Sequence, residues 1–161
     1  MAERFQRILK NKQYRHHLEL ISNHEKDRIF CKHDLSHFLD VARIAYILCL
    51  EDKAHLSKDL IYAAALVHDV GRHVQYEDGT PHEQASAELC GPILMQEGYS
   101  EDEILTIKDA VSNHRNSKLE MSKDLPWYIY RSDKLSRACY NCSATELCNW
   151  PDSKKNLDLK Y

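Results

Sequence analysis

The sequence predicts an all-α protein, a compact helical bundle formed by a single domain. Glycine and proline are scarce, at four each. No Asn-Gly hairpin signal and no alternating apolar–polar run is present. Apolar residues recur at helical spacing instead. The pattern places helices over 3–11 and 13–28, then longer ones over 35–51 and 58–70. Asp34 is placed to cap the third helix and Ser57 the fourth. Thr80-Pro81 resembles a cap followed by proline in the first turn, opening a helix that stops near Gly98. Ser100-Glu101-Asp102-Glu103 has the capping-box pattern and starts the next helix, to about His114. A last helix is predicted over 125–138. Residues 71–81 and the final twenty or so are predicted to be irregular.

With 161 residues, the chain is long enough for one domain with a real core. That domain is predicted to span 1–161, with a core over about 30–138 and a cysteine-containing extension over 139–161. Apolar residues make up 43% and charged residues 29%, ordinary for a soluble globular protein. A net charge of −3 gives no electrostatic footprint for nucleic acid or an anionic membrane. No apolar run reaches the length of a membrane span, and MAERFQRILKNK lacks the apolar centre of a secretory signal. A cytoplasmic location is therefore expected, with the six cysteines read as thiols or metal ligands before disulfides.

Ten histidines are the unusual entry. His16, His17, His24, His55 and His73 sit in polar surroundings with no partner pattern. His68-Asp69 ends the run Ala63-Ala64-Ala65-Leu66-Val67, whose helix can be packed on every side. A carboxylate buried beside an imidazole costs several kcal/mol unless compensated, and a divalent cation compensates both. Neighbouring helical residues diverge by about 100°, so both reach one ion only near a helix end, which Gly71 would supply. A His-Asp hydrogen bond that merely caps a core helix is the competing reading.

Further candidates lie at helix ends or on packed faces. His37 falls in the first turn of an apolar-periodic helix, and His82 opens PHEQASAEL. His114 closes ILTIKDAVSNH, and Asp133 sits in YIYRSDKLSR. The order H…HD…H…H…D, in the contexts HFLDVA, ALVHDVG, AVSNH and SDKL, resembles the HD-domain superfamily of metal-dependent phosphohydrolases over residues 30–138. An earlier dipeptide, His33-Asp34, is read as the opening of the next helix, with His33 outside or against the surface. A ligand role for His33 is the minority reading.

The resemblance implies a first metal on His37, His68, Asp69 and Asp133, and a second on His82 and His114 with Asp69 bridging. Asp69, His68 and Arg72 would be the catalytic groups. Imidazole and carboxylate suit two divalent transition ions, iron first, with manganese, zinc, cobalt or nickel also compatible. The implied reaction is hydrolysis of a phosphoester or phosphoanhydride by metal-activated water. A nucleotide is the favoured small-molecule substrate, by similarity to the small two-metal diadenosine tetraphosphatases. Arg72 stands where many relatives carry lysine, and can pair with phosphate or offset a helix C-terminal dipole. A di-iron oxygenase is one alternative; the Tyr-x-x-Glu pair of one such group is replaced by Asp27 and Phe30. A non-catalytic, metal-stabilised nucleotide sensor is another.

CYNCSATELCNW spaces Cys139, Cys142 and Cys148 as C-x2-C-x5-C, a candidate site for zinc or an iron–sulfur cluster. Three thiols are one short of four, so Cys31 or another distant cysteine would have to complete it. Buried or free thiols are the plain alternative. The end, KKNLDLKY, reads as a polar tail.

Overall fold

A computed structural model describes residues 3–119 and 121–161. Among them are eight α-helices, two 3-10 turns and no strand. The helices are α1 (Arg4–Ile8), α2 (Lys12–His24), α3 (Leu35–Glu51), α4 (Lys58–Val67), α5 (Arg72–Asp78), α6 (His82–Gln96), α7 (Glu101–Asn113) and α8 (Leu125–Leu135).

The centre of the fold is α4. Ile61, Ala63, Ala64, Ala65, Leu66 and Val67 are all buried, so the second half of this helix has no solvent face. It packs against α1, α3, α6, α7 and α8. Alanine keeps the helix thin enough to be surrounded, and Leu66 and Val67 fill the space that remains. On α3, Phe38, Val41, Ala45 and Leu48 recur at helical spacing and are buried, forming the stripe that covers α4 and α8.

Two predicted caps are present in full. Asp34 accepts a hydrogen bond from the His37 backbone N–H at 3.0 Å. Ser100 and Glu103 complete a reciprocal capping box. Two others differ. Ser57 holds the N-cap position of α4 without a side-chain bond, and Pro81 itself takes the N-cap position of α6, again without a side-chain bond. Thr80 lies in the preceding turn, where its N–H donates to Asp78 Oδ1 at 2.9 Å.

The segment predicted to be irregular contains α5, because Arg72–Asp78 pairs its backbone locally before Gly79 ends it with a left-handed φ of 83°. This changes the role of Gly71. Its φ is −86°, it precedes α5, and it is not a left-handed helix stop. What it supplies is closeness: a Cβ added there would lie 2.4 Å from the Ser86 backbone nitrogen and 2.7 Å from the Ala85 backbone carbon. Ser86 Oγ accepts the Gly71 N–H at 2.9 Å. The absent side chain therefore lets the turn after α4 sit directly on α6.

Candidate metal centre

Five of the helices, α3, α4, α6, α7 and α8, each bring one or two polar side chains to the same point. His68 is the C-cap of α4, and Asp69 follows in the turn before α5. That turn breaks the helical 100° step, so adjacent residues converge. His37 lies in the first turn of α3, His82 is the first residue of α6, and His114 is the C-cap of α7. Asp133 sits in the last turn of α8. Helix ends suit this task because neighbouring helices converge there without filling the space with a continuous side-chain stripe.

The geometry is organised by the Asp69 carboxylate. Its Oδ2 lies 3.2 Å from His68 Nε2 and 3.7 Å from His37 Nε2. Asp133 Oδ1 approaches the same two rings at 3.9 Å and 3.5 Å. The other oxygen, Oδ1, lies 3.2 Å from His82 Nε2 and 3.3 Å from His114 Nε2. Two ligand groups result, His37–His68–Asp69–Asp133 and Asp69–His82–His114, each with its donor atoms within 4.8 Å of one another. His68 and Asp69 are 0% and 2% exposed, whereas the side chains of His37 and Asp133 remain 16% and 14% exposed. The centre therefore opens on the α3–α8 side.

Second partners fix the ring tautomers. His68 Nδ1–H donates to Ala65 O at 2.7 Å, and His114 Nδ1–H to Val111 O at 2.6 Å. Carbonyls only accept, so both Nε2 atoms carry lone pairs. Ser136 Oγ donates to Asp133 O, which leaves it to accept His37 Nδ1–H at 3.4 Å. His82 Nδ1 is contested: Gln75 Oε1 lies 2.5 Å away and Arg72 Nη1 2.8 Å. Donation to Gln75 leaves His82 Nε2 free as a ligand; acceptance from Arg72 would put the proton on it.

A cation fits this donor set. His37 Nε2, His68 Nε2 and Asp69 Oδ1 are buried without a hydrogen-bond partner, and His82 Nε2 faces His114 Nε2 at 3.2 Å. Burial pushes the Asp69 carboxyl up, but His68, His114 and His37 outweigh it and hold the group well below the usual carboxylate range. Burial likewise raises Asp133, and Lys134 with the imidazoles overcomes it, leaving a lowered pKa. Burial pushes His82 down to about 3. At His114 burial acts in the same direction, but Asp69 prevails and raises it. The opposite signs are consistent, because only one proton fits between two rings that share one oxygen. A divalent ion in that position lets both remain neutral.

Arg72 opens α5 rather than closing a helix, so the dipole-offset role does not apply. Its Nε donates to Tyr76 Oη at 3.2 Å, and the latter donates to Glu25 Oε1 at 2.7 Å. His33 is placed closer than its sequence context suggests. Its Nδ1 pairs with buried Glu25, its backbone N–H donates to Glu25 Oε2 at 2.7 Å, and its Nε2 lies 3.9 Å from Asp69 Oδ2. No periodicity links Glu25 to His33; the contact depends on the bend between α2 and α3. His73, expected in polar surroundings, is buried between His17 at 3.0 Å and Glu77 at 3.3 Å. Cys139, Cys142 and Cys148 lie beyond α8 and join neither ligand group.

The HD domain family model matches residues 34–138. A Clostridium beijerinckii protein described as uncharacterized is 46% identical over 159 residues, covering 99% of each chain. The crystal structure of a predicted HD superfamily hydrolase from an uncultured Thermotogales bacterium superposes with a TM-score of 0.62 at 20% identity, covering 89% of this chain and 81% of that one. With a helical fold of that kind and a matching family model over most of its length, the chain belongs to the HD domain family.

Proposed function

We propose that this protein is a binuclear metal-dependent phosphohydrolase acting on nucleotide phosphoesters or phosphoanhydrides. The observation that carries the reading is Asp69, whose two oxygens face two separate ligand groups. When bound, two transition ions would supply Lewis acidity toward water and toward a phosphoryl oxygen.

The residues of the chain do the rest. His37, His68 and Asp133 hold one side and His82 and His114 the other, with Asp69 shared between them. Four neutral imidazoles and two carboxylates carry two negative charges, against four positive charges from two divalent ions. The loaded site is then electropositive and favours an anionic group. Arg72 lies against His82, and Lys134 binds Asp133 Oδ2 at 2.5 Å. A surface cleft bordered by Glu25, Lys26, Lys32, His33 and Asp34 adjoins the centre at His33, whose Nε2 lies 3.9 Å from Asp69 Oδ2. No nucleophilic side chain is needed. Among the described residues no helix is long and apolar enough to cross a membrane.

Metal analysis of anaerobically purified protein, followed by a panel of nucleoside polyphosphates, mononucleotides and cyclic nucleotides with Fe(II), Mn(II) and Co(II), tests the reading. Turnover without dioxygen, with one solvent oxygen in the phosphate product, is expected. Oxygen-dependent consumption of a hydroxy-alkyl substrate with no phosphoester turnover would overturn it.

A further inference from the structure

Glu25 occupies a position that its own helix does not favour. It is the C-cap of α2, where the helix dipole opposes a carboxylate, and it is buried, which opposes the charge again. Donors from other parts of the fold hold it there. Its Oε2 accepts the His33 backbone N–H at 2.7 Å. Its Oε1 accepts His33 Nδ1–H and the Tyr76 hydroxyl at 2.7 Å. Tyr76 Oη accepts from Arg72 Nε at 3.2 Å, and Arg72 Nη1 lies 2.8 Å from His82 Nδ1. The chain of contacts runs from the second ligand group around to the bend before α3.

One carboxylate thus pins both the backbone and the ring of His33. Because a carboxylate accepts, the ring proton stays on Nδ1 and Nε2 presents a lone pair. Among the described residues no donor reaches that lone pair; Nε2 faces another acceptor, Asp69 Oδ2, at 3.9 Å. The ring stands nearly perpendicular to that of His37, with centroids 5.7 Å apart. Its side chain is 15% exposed and borders the surface cleft, so solvent reaches it. Two acceptors therefore flank a gap too wide for a hydrogen bond and of the size that a water spans.

We propose that His33 is a catalytic residue of this centre, whose Nε2 accepts a hydrogen of the reacting water and orients its oxygen beside Asp69, with Glu25 as the positioning residue behind the ring. The proposal rests on the phosphohydrolase reading above. A lone pair at this place suits water and not the phosphate itself, whose oxygens are acceptors too. Nor is a further metal ligand needed here. His37, His68, Asp69 and Asp133 would already give the first ion four donors, and a catalytic ion keeps open positions for water. Burying Glu25 against its own helix is then explained by what it does for the ring: it fixes the tautomer and the direction of Nε2 together.

The test compares the full chain with His33→Ala, His33→Gln and Glu25→Gln, each loaded with Mn(II) and assayed on the same phosphoester. His33→Ala should lower kcat about 100-fold, the scale of a misplaced reactant, with KM, metal stoichiometry and helical circular dichroism unchanged. His33→Gln, which returns an acceptor oxygen near the position of Nε2, should recover part of that loss, and Glu25→Gln should lose less than His33→Ala. NMR of the ring nitrogens in metal-free wild type, in mildly alkaline buffer, should show the His33 proton on Nδ1, and Glu25→Gln should mix the tautomers. Absence of phosphoester turnover in the wild type would overturn the phosphohydrolase reading and this role with it. With the wild type active, an unchanged kcat in His33→Ala would overturn this role alone. The loss of an ion from His33→Ala, which would make it a ligand, or a ring proton on Nε2 in the wild type would do the same.

Discussion

His33-Asp34 and His68-Asp69 are the same two residues in the same order, and the fold uses them differently. The first pair begins a helix at the surface. Asp34 turns back to cap α3, and His33 turns inward to pair with Glu25. The second pair ends a helix whose last five residues are all buried. There both side chains point the same way, at the junction of α3, α4, α6, α7 and α8. The dipeptide itself carries little information. A buried position just past a helix end turns a carboxylate toward two groups of imidazoles, whereas an exposed position just before one makes it a cap.

The strongest way to break this contrast is Asp69→Ala against Asp34→Ala. Removing Asp69 takes an oxygen from both ligand groups, so both ions should be lost and phosphoester turnover should fall to background. Metal analysis of the folded variant checks this; retention of both ions would show that Asp69 is not shared. The next effect divides the centre. His82→Ala and His114→Ala should each leave about one ion on His37, His68, Asp69 and Asp133, with helical circular dichroism intact and turnover down by orders of magnitude. Full activity with one ion would make this a one-metal enzyme.

A smaller effect sharpens the role of tautomer control. Ser136→Ala removes the acceptor of His37 Nδ1–H, and metal affinity should fall about 10-fold or somewhat more, read by competition with a chelator. Asp34→Ala comes next. It should cost about 1 kcal/mol of stability in a denaturant titration, with metal stoichiometry unchanged. His33→Ala should also leave the stoichiometry unchanged.

The last effect, read only in acid, is a dependence on pH. Burial pushes Glu25 up, but bonds from His33 and Tyr76 hold its carboxyl down at about 2, against an ordinary value of 4.5. Because the folded value is the lower one, the associated stability is fully present above about 4.5 and disappears as pH falls toward 2. Metal-free Glu25→Gln should therefore show a shallower loss of stability across that interval than the metal-free wild type. Equal slopes would remove Glu25 from the account.

The all-α class, the burial of the α4 run and the caps at Asp34 and Ser100 were legible because each depends on residues a few positions apart. The six candidate ligands were legible through their order and local contexts, which resemble the family to which the chain belongs. Three features were not. Helix α5 lacks an apolar stripe, since only His73 of its residues is buried; tertiary contact with α2 and α6 substitutes for the periodic signal. His33 reaches Asp69 only because Glu25, from the end of α2, holds its ring in place. Gln75 and Ser136 act on ligands through single hydrogen bonds that no spacing rule encodes.

Gly71 gives the centre its dimensions. The turn bearing Asp69 and the helix bearing His82 meet where a glycine hydrogen touches the Ser86 backbone, so the gap spanned by the carboxylate is set by one missing methyl group. Ligand residues are the obvious points of failure in such a centre, but each could in principle be exchanged for another donor. No side chain at 71 can be accommodated without moving α6. A lineage could alter the metal, the rim or the tail by ordinary substitutions. A change at this spacer alone would shift α6, and with it His82, relative to the Asp69 carboxylate without altering any of the six candidate ligand residues.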